Sequence, residues 1–465
     1  MAGSATVTGI QHYTHGIGQP NAEADPEQAP LTIVNGALVD GAGNALVDST
    51  PANATYIMGD SLASNGYITT GDTFITLPSE GAFNWANDLL GAPFVITGNT
   101  SAGGKTAQNI TDEQIPVIAA LTRSARPKYA FVSMGHNDLY ADALSAAVCY
   151  ARMVAVIEGL LALGVVPIWS TVWARSYSVL PALQHIQLND MLRRYAYTQK
   201  MALFYDGFEA SADQTTSTTN EGRLPLSTFY YDSSIHVNNL GALQIGRYMA
   251  AKLRPRIPLA AQGFVTAQED QTFSGGTSNL LANPAFRGTG GTVSVNCTGT
   301  MPDSWTIDWA TRTGSASAAA AIVDVTDADS GLVIGRAVQV TISGSPALGD
   351  IVRISQSTGF NSLLSAGSVV QAEGIHQLDT AGSISAFAMR VQTNTTESTW
   401  AGNVVQAVST VGLAAFGPAA RRTRQMTVLG SGAAAQARYD LRVAFNGTTS
   451  GAVFRTWKPR VRKVS

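Results

Sequence analysis

Ile57-Met-Gly-Asp-Ser-Leu62 reads as the end of an apolar strand that turns sharply at Gly59 and presents the hydroxyl of Ser61. The same pattern recurs on either side of it. Short apolar runs stand at Thr55–Met58, Phe94–Thr97, Tyr129–Met134, Val165–Thr171 and Ala202–Tyr205. Helical stretches lie between several of them. The clearest is Ala143–Leu163, where apolar residues recur at three- and four-residue spacing. Alternating strand and helix predicts an α/β domain, a parallel five-stranded sheet with helices on both faces. Ligands of such folds bind beyond the carboxyl ends of the strands, so the polar residues that follow the strands are the candidates for chemistry.

This pattern fills residues 51–257 of a chain of 465, which is too long for one ordinary core. Residues 1–50 form a leader or attachment segment. In it Ala37-Leu-Val-Asp40 is echoed by Ala45-Leu-Val-Asp48 across Gly41-Ala-Gly-Asn44, which predicts a β-hairpin. Residues 258–278, rich in Gly, Gln and Ser, read as a linker. Residues 279–465 carry short β-rich runs such as Ala337–Ile342, Ser385–Val391 and Tyr439–Phe445, separated by Gly, Ser, Thr and Asn. They predict an all-β sandwich.

Three further segments stand with Ser61. A serine hydroxyl is a poor nucleophile until a base takes its proton. His236, in Tyr231-Asp-Ser-Ser-Ile-His236, is suited to that role because an imidazole's ordinary pKa of ~6.5 lies near working pH. Gly98-Asn-Thr-Ser-Ala-Gly-Gly104 follows the second strand, where a glycine brings its N–H close to a developing oxyanion. Asn137, in Met134-Gly-His-Asn-Asp138, offers a side-chain amide after the third strand.

In this order and spacing the four blocks resemble the SGNH, or GDSL-type, hydrolase family over roughly Thr55 to Ala251. Gly59-Asp60-Ser61-Leu62 is similar to its nucleophile block. Gly104 matches its oxyanion glycine, with Gly103 the nearby alternative. Gly135-His136-Asn137-Asp138 is similar to its GxND block, and His236 to its catalytic histidine. The resemblance implies a flavodoxin-like three-layer fold and ester hydrolysis through an acyl-enzyme on Ser61, without metal or cofactor. The oxyanion would be held by the Ser61 N–H, Gly104 and Asn137. In one respect the chain departs from the family: the acid usually stands three residues before the histidine, and that position is Ser233. Asp232, four before, is the favoured acid. The alternatives are Asp206 and a Ser–His dyad helped by a backbone carbonyl.

Other signals lead elsewhere. Gly98 to Gly104-Lys105-Thr106 looks like a phosphate loop, but five residues separate its glycines where that motif has four. Trp169 reads as core. His136, Trp173 and Tyr177 are candidates for substrate contact, the last two as a stacking face for sugar. The net charge of −3 and pI near 6.1 give no electrostatic case for nucleic acid. Arg455, Lys458, Arg460, Arg462 and Lys463 read as a solvated edge strand. Two cysteines far apart make no disulfide framework. No signal peptide and no membrane-length apolar run is visible.

Asn279-Leu-Leu-Ala-Asn-Pro-Ala-Phe286 with Pro302-Asp-Ser-Trp305 resembles the opening of jelly-roll carbohydrate-binding modules. An oligomerisation domain is the competing reading. The whole arrangement resembles bacteriophage tail-spike deacetylases, for which an acetylated polysaccharide substrate, a virion-associated or extracellular location and a homotrimer would fit. A secreted bacterial carbohydrate esterase, a lipase or thioesterase, and a glycan-binding adhesin are the alternatives.

Overall fold

The computed structural model describes residues 32–34, 37–39, 53–65, 67–70, 73–76, 81–175, 179–213, 226–230, 235–257, 279–326, 331–356, 364, 366–392, 398–402, 411–423, 425–428, 438–447 and 451–463. The proposed linker at 258–278 lies outside them, as do Tyr177 and Asp232. So does Ala45–Asp48, one arm of the expected hairpin. Thr32–Val34 and Ala37–Val39 pair antiparallel.

Five parallel strands form the sheet of the α/β part: β1 (Ala54–Gly59), β2 (Val95–Asn99), β3 (Tyr129–Ser133), β4 (Val166–Ser170) and β5 (Leu203–Tyr205). Their order is β2-β1-β3-β4-β5, the flavodoxin-like order. The strands are apolar on both faces because helices cover both. Ile57, Phe131, Ile168 and Leu203 lie in register across the sheet. They pack against helices α1 (Ala82–Leu89) and α4 (Asn239–Leu253). Met58, Ala130, Val132 and Trp169 point the other way. They pack against α2 (Ala146–Ala162) and α3 (Val179–Thr198), with Cys149, Met153, Val156, Leu188 and Leu192 buried between. The period of two along each strand thus builds a three-layer sandwich. Among the described residues no helix is long and apolar enough to cross a membrane.

The β-rich part has two sheets. One runs Thr292–Val293, β6 (Thr306–Thr311), β9 (Leu348–Gln356), β13 (Arg438–Asn446), β11 (Ile384–Gln392) and Ser398–Gly402. It is extended by Thr73–Thr76 and Tyr67–Thr70, which follow the Ser61 segment in sequence. The other runs Cys297–Gly299, β7 (Ser317–Thr326), β8 (Val333–Ser343), β14 (Val453–Lys463), β10 (Val369–Thr380) and β12 (Phe416–Arg422). Phe387 and Phe454 meet edge-to-face between the sheets, 5.6 Å apart.

The basic C-terminal stretch is not an edge. β14 lies between β8 and β10, and its arginines are matched from the neighbouring strand: Arg455 to Asp379, Arg460 and Arg462 to Glu373. Charged side chains tolerate an inner strand when the partner is one strand away.

Candidate active site

Gly59 ends β1 with φ +119, and a Cβ there would stand 2.0 Å from the Ser133 carbonyl oxygen. Only glycine fits both conditions. The chain then turns into a one-turn helix, Ser61–Ser64, capped by Asp60, whose Oδ1 accepts the Leu62 N–H at 3.0 Å. Ser133 at the end of β3 closes the turn. Its carbonyl accepts the Asp60 N–H at 3.1 Å, and its hydroxyl donates to Asp60 Oδ1 at 2.9 Å. Gln114 holds the Gly59 peptide from the other side, accepting its N–H at 2.7 Å and donating to its carbonyl at 3.0 Å. Ser61 is therefore fixed by a turn with most of its polar backbone committed.

Gln114 and Ser133 have no place in the sequence reading. Gln114 had a signal: it stands between Ile110 and Ile118 at four-residue spacing, a polar residue within a buried stripe. Such a residue is buried only with partners.

The loop after β2 crosses the end of β1, where the Ala102 N–H donates to the Gly59 carbonyl at 3.0 Å. Gly103 then comes alongside the nucleophile; a Cβ on it would lie 3.9 Å from Ser61 Cβ. Gly104 follows at φ +78 in open space. Both glycines are exposed beside Ser61. Past them, Asp138 Oδ2 accepts the Ala107 N–H at 2.8 Å, and Asn137 Nδ2 donates to the Lys105 carbonyl at 2.9 Å. The bond to Lys105 uses one of the two amide protons of Asn137 and fixes the plane of the group.

His236 reaches Ser61 from the last block, with Nε2 2.9 Å from Oγ. Val237 bridges to Tyr230, and Asn238 is held by Phe229 and Thr228 while its side chain caps α4 at Leu240 and Gly241. The structure thus brings His236 and Gly103 against Ser61, and ties Asn137 to the same glycine loop through Lys105. Asp206, the alternative acid, is bound to Thr171 at 2.7 Å and Arg193 at 2.6 Å, and to the Glu209 N–H. Burial alone would raise its pKa; these bonds outweigh it and hold the carboxyl below its usual range.

Two expected substrate contacts fare differently from the reading. Trp173 is 3% exposed, so it offers no stacking face. Gly207 is the reason: a Cβ there would stand 2.3 Å from Trp173 Cδ1, and the bare backbone lets the ring lie down over it. The indole N–H donates to Ser170 Oγ at 3.3 Å. His136 is also buried, packed near Tyr140 and His185. Burial, with His185 and the Arg175 guanidinium nearby, holds its pKa well below the ordinary value, so it stays neutral. Trp169 is core, as its position on β4 suggested.

Burial pushes Asp60 up to about 6, against the hydrogen bonds from Ser133 and Leu62 that favour its charged form. A carboxyl raised on folding contributes stability that is full below its unfolded pKa of 3.8 and lost as pH rises through 6. Asn keeps the acceptor oxygen and never ionises. Asp60→Asn is therefore expected to gain on wild type by about 2 kcal/mol between pH 4 and pH 7. Denaturant melts of both proteins across that range check it; a difference independent of pH would refute the buried-carboxyl account.

No family model and no curated protein matches the chain. Among solved structures it is similar to a carbohydrate esterase family 3 from Talaromyces cellulolyticus, at 16% identity over 44% of this chain and 97% of that one, TM-score 0.32. It is also similar to an acetyl-xylooligosaccharide esterase from Geobacillus, at 15% identity over 44% and 95%, TM-score 0.33. A further likeness is to TmCBM61 in complex with β-1,4-galactotriose, at 12% identity over 40% and 98%, TM-score 0.25. Each is a likeness over part of the chain, and the chemistry of the site stands on its own distances.

Proposed function

We propose that this chain is a serine ester hydrolase acting through an acyl-enzyme on Ser61. The observation that carries the reading is the 2.9 Å contact between Ser61 Oγ and His236 Nε2, within the range a general base requires. His236 takes the hydroxyl proton as Oγ attacks the ester carbonyl. The tetrahedral oxyanion is held by the Ser61 N–H, the Gly104 N–H and the Asn137 amide. His236 then gives the proton to the leaving alcohol. Water, deprotonated by His236 in turn, releases the acid and restores Ser61. Asp232 is the carboxylate we assign to orient His236, since Asp206 is committed to Arg193.

Asn137→Ala removes one donor aimed at charge that exists only in the transition state. It is expected to lower kcat by roughly 100- to 1,000-fold, about 2.7–4 kcal/mol, with little change in KM. Unchanged kcat in that variant would remove Asn137 from the oxyanion hole.

We further propose that the acyl group is short, an O-acetyl on a polysaccharide, and that the protein works outside the cell or on a virion. These finer readings rest on the sequence resemblances. Hydrolysis of p-nitrophenyl acetate against longer acyl esters tests the first. Acetate-selective turnover that disappears in Ser61→Ala supports it. Faster turnover of long chains would replace it with a lipase. A folded protein inert on every ester, acetylated glycans included, would overturn the hydrolase reading altogether.

A further inference from the structure

We infer that the β-rich half is a working part of the catalytic unit, with Asn239 the positioning residue that ties the His236 segment to it. The inference rests on the hydrolase reading above and adds a residue to it. Asn239 opens α4, three positions after His236, and is 1% exposed. Its Nδ2 donates to the Ser385 carbonyl at 2.8 Å and the Val411 carbonyl at 2.6 Å, both in the β-rich half. Its Oδ1 accepts the Leu240 N–H at 2.9 Å. All the polar atoms of this buried amide are thus used, and two of its three bonds cross between the halves of the molecule.

The joint around it is built like an interior. Trp85 of α1 meets Phe416 of β12 edge-on at 5.2 Å. Arg421 is buried between Trp85 and Phe387, donates to the Phe387 carbonyl at 2.6 Å and pairs with Asp88 at 3.2 Å. Arg247 of α4 donates to the Ala415 carbonyl. One continuous apolar cluster runs from the α1 and α4 face of the parallel sheet into the β-sandwich. A module joined only through a loose tether has no need of a buried arginine and a buried amide at its border, since each is costly unless fully partnered.

The consequence falls on His236 more than on Ser61. Ser61 is fixed from within the α/β part by Ser133 and Gln114. His236 comes from a segment whose helix is anchored at its first residue to Ser385 and Val411. A shift of about 1 Å in a reacting group costs on the order of 100-fold in rate. With those anchors lost, the His236 Nε2 to Ser61 Oγ distance is expected to lengthen and scatter.

The test is a double-mutant cycle on the full chain with p-nitrophenyl acetate: Asn239→Ala, His236→Ala and both together. Asn239→Ala is expected to lower kcat about 10- to 100-fold with KM little changed, in protein shown by circular dichroism to be folded at the assay temperature. A residue acting through His236 adds nothing once His236 is gone, so the double variant should match His236→Ala. If Asn239→Ala does not fold, Asn239→Asp keeps the shape and the Leu240 acceptor while losing both donors, and the same cycle applies. Wild-type kcat in a folded Asn239 variant, with His236→Ala inactive, overturns the inference and leaves the hydrolase reading intact. A double variant slower than His236→Ala also overturns it, since Asn239 would then act by another route. Full activity of His236→Ala would sink the hydrolase reading itself.

Discussion

Ser61→Ala is expected to lower ester turnover by about 10⁴- to 10⁶-fold while leaving the melting temperature close to that of wild type. The two halves of this expectation come from different atoms. Everything that shapes the turn uses the backbone or a neighbour: the Asp60 cap on Leu62, the Ser133 bonds to Asp60 and the Gln114 clamp on Gly59. The Ser61 hydroxyl is bonded to His236 Nε2, and no part of the turn depends on it. Deleting it removes the nucleophile and little else. What remains is the oxyanion hole and the binding surface, which together still favour the reaction by about 10³- to 10⁴-fold over water. Initial rates on p-nitrophenyl acetate give the loss, and a fluorophosphonate probe followed by mass spectrometry gives the site. The adduct should sit on Ser61 in wild type and be absent from the variant. A folded Ser61→Ala protein that turned over at the wild-type rate would place the nucleophile elsewhere.

The parallel sheet was legible because its strands are uniform in what they must satisfy. Each is buried on both faces, so each is a short apolar run, and helices must lie between runs that pair in parallel. The expected helix at Ala143–Leu163 begins later, at Ala146, because Ser145 caps it and Ala143 takes φ +51, outside the helical range. The strands Tyr67–Thr70 and Thr73–Thr76 were not legible as parts of the second sheet. Strand pairing over such a distance leaves no periodic trace in the sequence, and nothing in those runs names a partner. The same is true of Asn239, whose acceptors are carbonyls supplied by Ser385 and Val411. A carbonyl carries no residue identity, so no motif could announce the pair.

The site divides in the same way. Ser61 and His236, which the structure brings within hydrogen-bond distance, were legible since chemistry restricts which side chains can serve. Their approach is then a matter of where the strands end. Trp173 was misread because exposure of a loop aromatic depends on what lies under it. The decisive residue was Gly207, whose missing side chain makes the bed for the ring. Gln114 was passed over although a lone amide within an isoleucine stripe is itself a sign of a buried bond.

His236→Ala should match Ser61→Ala in size, about 10⁴- to 10⁶-fold in kcat, and the two losses should not multiply. A serine without its base is no better a nucleophile than water, and a base without its serine has no proton to take. The double variant is therefore expected to equal either single one. Two other imidazoles lie close by and neither can stand in. His185 is fully buried, with Nδ1 on the Tyr140 hydroxyl and Nε2 on the Val172 carbonyl, and burial lowers its pKa to about 4. His136 is buried among the same rings, and burial holds its pKa well below the ordinary value too. A base weakened by burial accepts a proton from a hydroxyl less readily than an ordinary imidazole does. Imidazole added to the assay separates the two ways the variant could fail. Partial recovery of rate means that the cavity left by His236 keeps its shape and only the base is missing. No recovery, together with a lowered melting temperature, would mean that the ring also props the loop against Ser61. Independent, multiplying losses in the double variant would break the pairing of Ser61 with His236 on which the mechanism depends.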